Sequence, residues 1–172
     1  MPQLNSDGRR SVSFILNGRQ VIAYAEPRML LTDFLRQELG QTEVHVGCEH
    51  GVCGACTIRM DGKPARACLT FAVQVECHRI DTVRSLADTE GTLNDLQLAF
   101  RRHHALQCGY CTPGILMSVT AFLEVNPNPN EEEVRDMLSG HLCRCTGYVG
   151  MVHAVLDVVK SRQKKVGSPA AA

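Results

Sequence analysis

Three cysteines, Cys48, Cys53 and Cys56, crowd into the stretch Gly-Cys-Glu-His-Gly-Val-Cys-Gly-Ala-Cys, and Cys68 follows after eleven intervening residues. Gly47, Gly51 and Gly54 interleave with them. A loop that wraps a compact anion must turn sharply and let its backbone approach closely, and glycine permits both. It also lets successive N–H groups converge into an anion-binding nest. The stretch therefore reads as a loop closed around a sulfur-bound centre, with the neighbouring segments placed to support it.

The C-x4-C-x2-C spacing with a distant fourth cysteine is that of a plant-type 2Fe–2S site. Two sulfide-bridged irons need four soft thiolates, and Cys48, Cys53, Cys56 and Cys68 supply them. The rival reading is a structural zinc site, but zinc knuckles usually pair two C-x2-C units, and this loop has only one. A disulfide framework fits poorly, because nine cysteines is an odd count. No secretory segment is recognised. Arg9-Arg10 is followed by an apolar run too short for an export signal and reads as surface charge. The chain is expected in the cytoplasm, where thiols stay reduced.

Segments on either side of the loop follow a regular order. Alternating residues from Val12 to Leu16, then Asn17-Gly18, then Val21 to Ala25 predict a hairpin. Leu30, Leu31, Phe34, Leu35 and Leu39 recur at helical spacing and stop at Gly40. After the cysteine loop, Thr57 to Met60, Asp61-Gly62 and Lys63 to Ala67 predict a second hairpin. Hairpin, helix, loop, hairpin is the order of a β-grasp ferredoxin domain. Residues 69–77 are apolar and ambiguous between helix and strand. From Ile80 to Gly91 the pattern is mixed and polar, and the domain boundary is placed there. The division expected is 11–82 and 83–165, with loose termini at 1–10 and 166–172.

Beyond residue 92 the period is helical. Thr92, with Asp95 three residues on, predicts a helix start, and that helix should run to about His104. Thr112 as N-cap with Pro113 starts a second, ended by Asn126-Pro127. Asn130 caps a third, with Glu131, Glu132 and Glu133 in its positive first turn and Gly140 at its end. Val152, Val155, Val158 and Val159 mark a fourth, finishing in Lys160, Arg162, Lys164 and Lys165. The fold class expected is α+β: a β-grasp domain followed by a compact four-helix domain.

A second cysteine set lies in that helical half. Cys108 and Cys111 sit in Gln-Cys-Gly-Tyr-Cys-Thr-Pro-Gly, and Cys143 and Cys145 in Leu-Cys-Arg-Cys-Thr-Gly-Tyr. Each pair precedes a predicted helix start, where free N–H groups and the positive dipole end favour thiolate. C-x2-C alone is weak, since redox dithiols and zinc sites share it. C-x2-C, thirty-one residues, then C-x-C is far more specific. Arg144 between two presumed ligands either offsets cluster charge or is a solvated arginine.

With these motifs in view, residues 11–160 resemble the small iron–sulfur subunit of the molybdenum hydroxylases, the xanthine oxidase family. The likeness is to the separate small subunits of bacterial enzymes such as carbon monoxide, nicotinate, quinoline and isoquinoline dehydrogenases. The resemblance implies one 2Fe–2S cluster on Cys48, Cys53, Cys56 and Cys68 and a second on Cys108, Cys111, Cys143 and Cys145. It implies a large partner subunit holding a molybdenum–pterin cofactor, in the cytosine dinucleotide form, and a medium subunit holding FAD, in a doubled heterotrimer. Gln107 and Cys145 match positions that approach the pterin. Substrate chemistry would take place on the large subunit, and this chain would have no catalytic residue of its own. The remaining readings are a stand-alone two-cluster ferredoxin or redox sensor, and a zinc-stabilised interaction protein.

Other candidates carry less. Cys77, outside both sets, reads as a free thiol. His50 is rejected as a ligand, since four cysteines suffice, although it can hydrogen-bond a sulfur. His103 and His104 suit a helix C-terminus, and His45, His141 and His153 carry no motif. Net formal charge is zero, so nothing marks a nucleic-acid surface. Thiolates on two clusters would make the loaded protein more acidic than that count. No stretch approaches transmembrane length, and 44% hydrophobic residues suffice for a folded core.

Overall fold

The structure is a computed structural model that describes residues 8–88 and 90–167, with side chains described as far as Lys164. Of the expected loose termini, 1–7 and 168–172 lie outside the described residues. Arg10 already belongs to the first strand, β1 (Arg10–Leu16), one residue before the expected domain start. β1 pairs antiparallel with β2 (Arg19–Ala25), and the connecting Asn17 and Gly18 both take positive φ, as a tight right-twisted hairpin requires. The predicted helix forms as α1 (Leu31–Asp33), which runs on as a turn of π-helix over Phe34–Glu38. Leu31, Phe34 and Leu35 are buried from this segment, and the Phe34 ring lies 6.1 Å from that of Phe14 on β1.

β3 (Thr57–Met60) and β4 (Lys63–Arg66) form the second predicted hairpin about Asp61-Gly62. The ambiguous 69–77 stretch resolves into two short 3-10 turns, Ala67–Leu69 and Ala72–Val75. The polar-looking segment from Ile80 conceals a strand: β5 (Arg79–Asp81) is the middle of the five-stranded sheet, in order β2-β1-β5-β3-β4. It runs parallel to β1 and antiparallel to β3. Three residues are too few to show alternation, which is why the pattern concealed it. Ile80 nevertheless anchors the sheet's core with Val12, Phe14, Leu16 and Ile58.

Four α-helices follow among the described residues: α2 (Asp95–Arg102), α3 (Thr112–Val125), α4 (Glu131–Ser139) and α5 (Val149–Gly167). The first begins two residues later than expected. Asn94, rather than Thr92, is its N-cap, exchanging hydrogen bonds with Gln97 in a capping box. α3 also starts differently: Cys111 is the N-cap and Thr112 the first helical residue. Asn130 and Glu133 form the capping box of α4, with Gly140 at its C-terminus, as predicted. The helices share a second core that includes Leu96, Phe100, Ile115, Val119, Val134, Leu138, Met151 and Val155. Arg162, read from sequence as a C-terminal dipole partner, instead pairs with Asp95 at the start of α2, at 2.8 Å. His103 bonds Asp157 of α5 at 3.1 Å. Among the described residues no helix is long and apolar enough to cross a membrane.

Because Ile80 is fully buried in the central strand, Ile80→Ala should lower stability by about 2–5 kcal/mol in chemical denaturation. Ile22→Ala, on the exposed face of β2, should change it by no more than about 0.5 kcal/mol.

Candidate metal centres and the interface between them

The first cysteine loop spans the gap between the helical segment and β3, and Cys68 returns to it from the 3-10 turn after β4. The Cys53 N–H donates to Cys48 Sγ at 3.4 Å. The backbone N–H groups of Cys53 and then His50 lower the Cys48 thiol to about 6. Cys68 behaves oppositely: burial, with the neighbouring Cys56 thiol, pushes it up to about 11. The four cysteines thus fall into two contacting pairs, Cys48 with Cys53 and Cys56 with Cys68. The His50 ring bonds the carbonyl oxygen of Cys48 and not a sulfur. Cys77 is exposed.

The second set repeats the arrangement. Cys145 Sγ and Cys108 Sγ are 3.5 Å apart, and Cys111 and Cys143 form the other pair. Burial raises the Cys111 thiol to about 12. At Cys143 burial also pushes upward, but the Thr146 hydroxyl and the N–H groups of Thr146 and Cys145 outweigh it and hold the thiol below its usual value. The Tyr148 hydroxyl ties this turn together, accepting from the Cys143 N–H at 2.7 Å and donating to the His141 carbonyl at 2.9 Å. Gln107 Nε2 donates to the Cys145 carbonyl at 3.0 Å, so the two residues singled out in sequence do meet.

This donor set suits two dinuclear iron–sulfur groups. Two sulfurs on one tetrahedral metal stand about 3.7 Å apart for metal–sulfur bonds near 2.3 Å, close to the Cys108–Cys145 separation. Each set is composed of two interacting pairs, the number that two irons would need. Buried Cys68 and Cys111 resist ionisation as free thiols, so a cation must supply what burial removes.

The two sets are joined through backbone. The Leu142 N–H, beside Cys143, donates to the carbonyl of Cys53 at 2.9 Å. α3 lies against the first loop so closely that a Cβ on Gly114 would fall 2.2 Å from the Gly54 carbonyl oxygen. Gly54 itself has φ +76°, and a Cβ there would meet the ring of His141 at 2.3 Å. His141 is buried, with Nε2 2.8 Å from Ser118 Oγ on α3. Burial and the Arg66 guanidinium depress its pKa to about 4, so the ring is neutral. On the other side His45 stacks on Tyr110, ring centroids 4.6 Å apart, and the Tyr110 hydroxyl donates to the Val46 carbonyl at 2.6 Å. Arg66 reaches the Gly140 carbonyl at 2.7 Å, and Arg59 meets Glu124 at 2.5 Å.

His45 and His141, dismissed in sequence for want of a motif, are therefore structural members of the join. The sequence signal that could have found them is adjacency alone: each lies within three residues of a cysteine ligand candidate.

Known proteins carry the same pattern. Residues 14–79 match the 2Fe-2S iron-sulfur cluster binding domain, and residues 82–156 match the 2Fe-2S binding domain family. The small subunit of nicotine 6-hydroxylase from Paenarthrobacter nicotinovorans is 54% identical over 149 residues, 87% of this chain and 89% of that one. Caffeine dehydrogenase subunit gamma from Pseudomonas sp. (strain CBB1) is 51% identical over 151 residues, covering 86% and 89% of the two chains. The crystal structure of quinoline 2-oxidoreductase from Pseudomonas putida 86 matches with a TM-score of 0.88 at 48% identity, over 93% of this chain and 98% of that one. Two dinuclear iron–sulfur domains in tandem define the class. The chain belongs to the family of small iron–sulfur subunits of the molybdenum hydroxylases, and its role is electron transfer within a multi-subunit oxidoreductase.

Since a side chain at position 114 cannot fit without moving the backbone of the first loop, Gly114→Ala should cost about 1–3 kcal/mol. A lowered unfolding midpoint, with faster proteolysis between the two halves, would register it.

Proposed function

We propose that this chain carries electrons from a molybdenum–pterin site on a large subunit to FAD on a medium subunit, in a doubled heterotrimer of the cytoplasm. Cys48, Cys53, Cys56 and Cys68 hold one 2Fe–2S cluster, and Cys108, Cys111, Cys143 and Cys145 the other. The chain divides at 82/83: Ile80 closes the first core, and Val83 packs on the second. When bound, a 2Fe–2S cluster takes up and releases one electron at a time. The residues of this chain hold, insulate and align the two sites.

The observation that carries this reading is the hydrogen bond from the Leu142 N–H to the Cys53 carbonyl. It links a residue adjoining one ligand set to a member of the other through a few covalent bonds and one short polar contact. Gln107, fixed on the Cys145 carbonyl, presents the second set to the pterin, in the cytosine dinucleotide form. The first set faces the FAD. Val52, Leu69 and Phe71 expose apolar surface around it, suited to a partner that must exclude water. The named relatives act on nicotine, caffeine and quinoline, and we extend to the large subunit of this complex a pocket for a nitrogen heteroaromatic ring. A stand-alone ferredoxin would have no use for the helical half, whose sulfurs reach the surface beside Gln107 at Cys108 and Cys145.

The test is Cys108→Ser in the complex purified with its partner subunits. Wild-type complex should hold about four iron and four labile sulfide for each copy of this chain, and bleach with dithionite. The variant should lose one paramagnetic signal while the other survives. Zinc in place of iron and sulfide would overturn the proposal.

A further inference from the structure

The relay proposed above leaves one buried group unused. His141 is 3% exposed. Its Nε2 bonds Ser118 Oγ, while Nδ1 has no partner among the described residues. An imidazole with only one satisfied nitrogen is a costly filling for a core position. An apolar residue of similar size would fill the same space without an orphaned nitrogen. The ring occupies the place a side chain on Gly54 would take, with Nδ1, Cε1 and Cγ at 2.3, 2.8 and 2.9 Å from that vacant Cβ position. It therefore sits flush against the backbone of the first cysteine loop, between Cys53 and Ala55.

The backbone around His141 is tied in three directions. Its own N–H donates to the Leu138 carbonyl at 3.0 Å, at the end of α4. Its carbonyl accepts from the Tyr148 hydroxyl, which also holds the Cys143 N–H. The next N–H, of Leu142, reaches Cys53. The ring and the Leu142 contact thus address neighbouring residues of the same loop. A change in how deeply the ring seats moves the Leu142 N–H relative to its acceptor. Ser118, on α3, sets that depth from behind.

We propose that His141 is a positioning residue that gauges the separation and orientation of the two cluster-binding loops, and with them the coupling between the two centres. The inference rests on the relay reading. It adds that the spacing is set by one imidazole seated against one glycine, with Ser118 as its stop. Removal of the ring leaves a cavity between the loops, and they approach or tilt to close it. Addition of a methyl group at residue 54 drives them apart.

The experiment uses the complex with its partner subunits, carrying His141→Ala, Ser118→Ala or Gly54→Ala. Iron and sulfide content is measured first, then the spin–spin splitting between the two reduced clusters in electron paramagnetic resonance. The expected result for His141→Ala is full iron content, both individual signals, and a splitting altered or lost. Gly54→Ala should also change the splitting, and Ser118→Ala should change it less than His141→Ala does. A purely space-filling histidine would lower the unfolding temperature and leave the splitting as in wild type, and that outcome overturns the proposal. If His141→Ala fails to retain iron, Ser118→Ala, which keeps the ring, decides by the same criterion: an unchanged splitting refutes and a changed one supports. Absence of iron and sulfide from the wild-type complex would refute the relay itself, and metal analysis reveals that before any spectrum is compared.

Discussion

The architecture depends on a backbone-to-backbone approach between the first cysteine loop and two segments far from it in sequence, the start of α3 and the turn before Cys143. Gly54 and Gly114 touch where neither could carry a side chain, and at the same join Leu142 donates to Cys53. Close packing of main chain against main chain brings polar groups together with little intervening hydrocarbon. That gives a stiff contact. A looser join, made by long side chains, would leave the spacing of the two cysteine sets free to vary.

The two cores support this join from either side. The sheet buries Phe14, Phe34 and Ile80 beneath the first loop, and the helices bury Phe100, Ile115 and Leu138 beneath the second. Each core holds its own loop ends, so the cysteines are presented by anchored backbone. The thiols then divide by environment. Cys48 faces N–H groups and ionises readily, while Cys68 and Cys111 are buried and do not. A site built this way favours a group that brings its own positive charge and takes all four thiolates together. Two relatives that match most of the chain are named as subunits of a hydroxylase and a dehydrogenase.

Much of this was legible in order along the chain. Both hairpins announced themselves by Asn-Gly and Asp-Gly, because local φ preferences need no tertiary partner. The Asn130 cap and the stop at Gly140 were legible for the same reason. Cysteine spacing pointed to both ligand sets, since chelation imposes short-range geometry. What escaped was local signal too brief or too common to weigh. β5 is three residues long, and its place at the centre of the sheet follows from pairing with β1 and β3. Asn94 took the cap from Thr92, and Cys111 took it from Thr112. A one- or two-residue choice among polar groups is settled by where the helix must pack.

By itself the sequence determined both hairpins, the helical half and the candidate sulfur donors, because each depends on residues close together along the chain. Only the tertiary structure decided how the two sets face one another. Gly54, Tyr110, Gly114 and Leu142 lie inside the cysteine motifs and His45 and His141 beside them, but nothing in those motifs says which of them meet. Their roles come from contacts across as many as eighty-nine positions, as between Cys53 and Leu142 at 2.9 Å. Periodicity and spacing report a residue's near neighbours, whereas a surface that mates two cores is specified by shape, and shape exists only once both cores have folded.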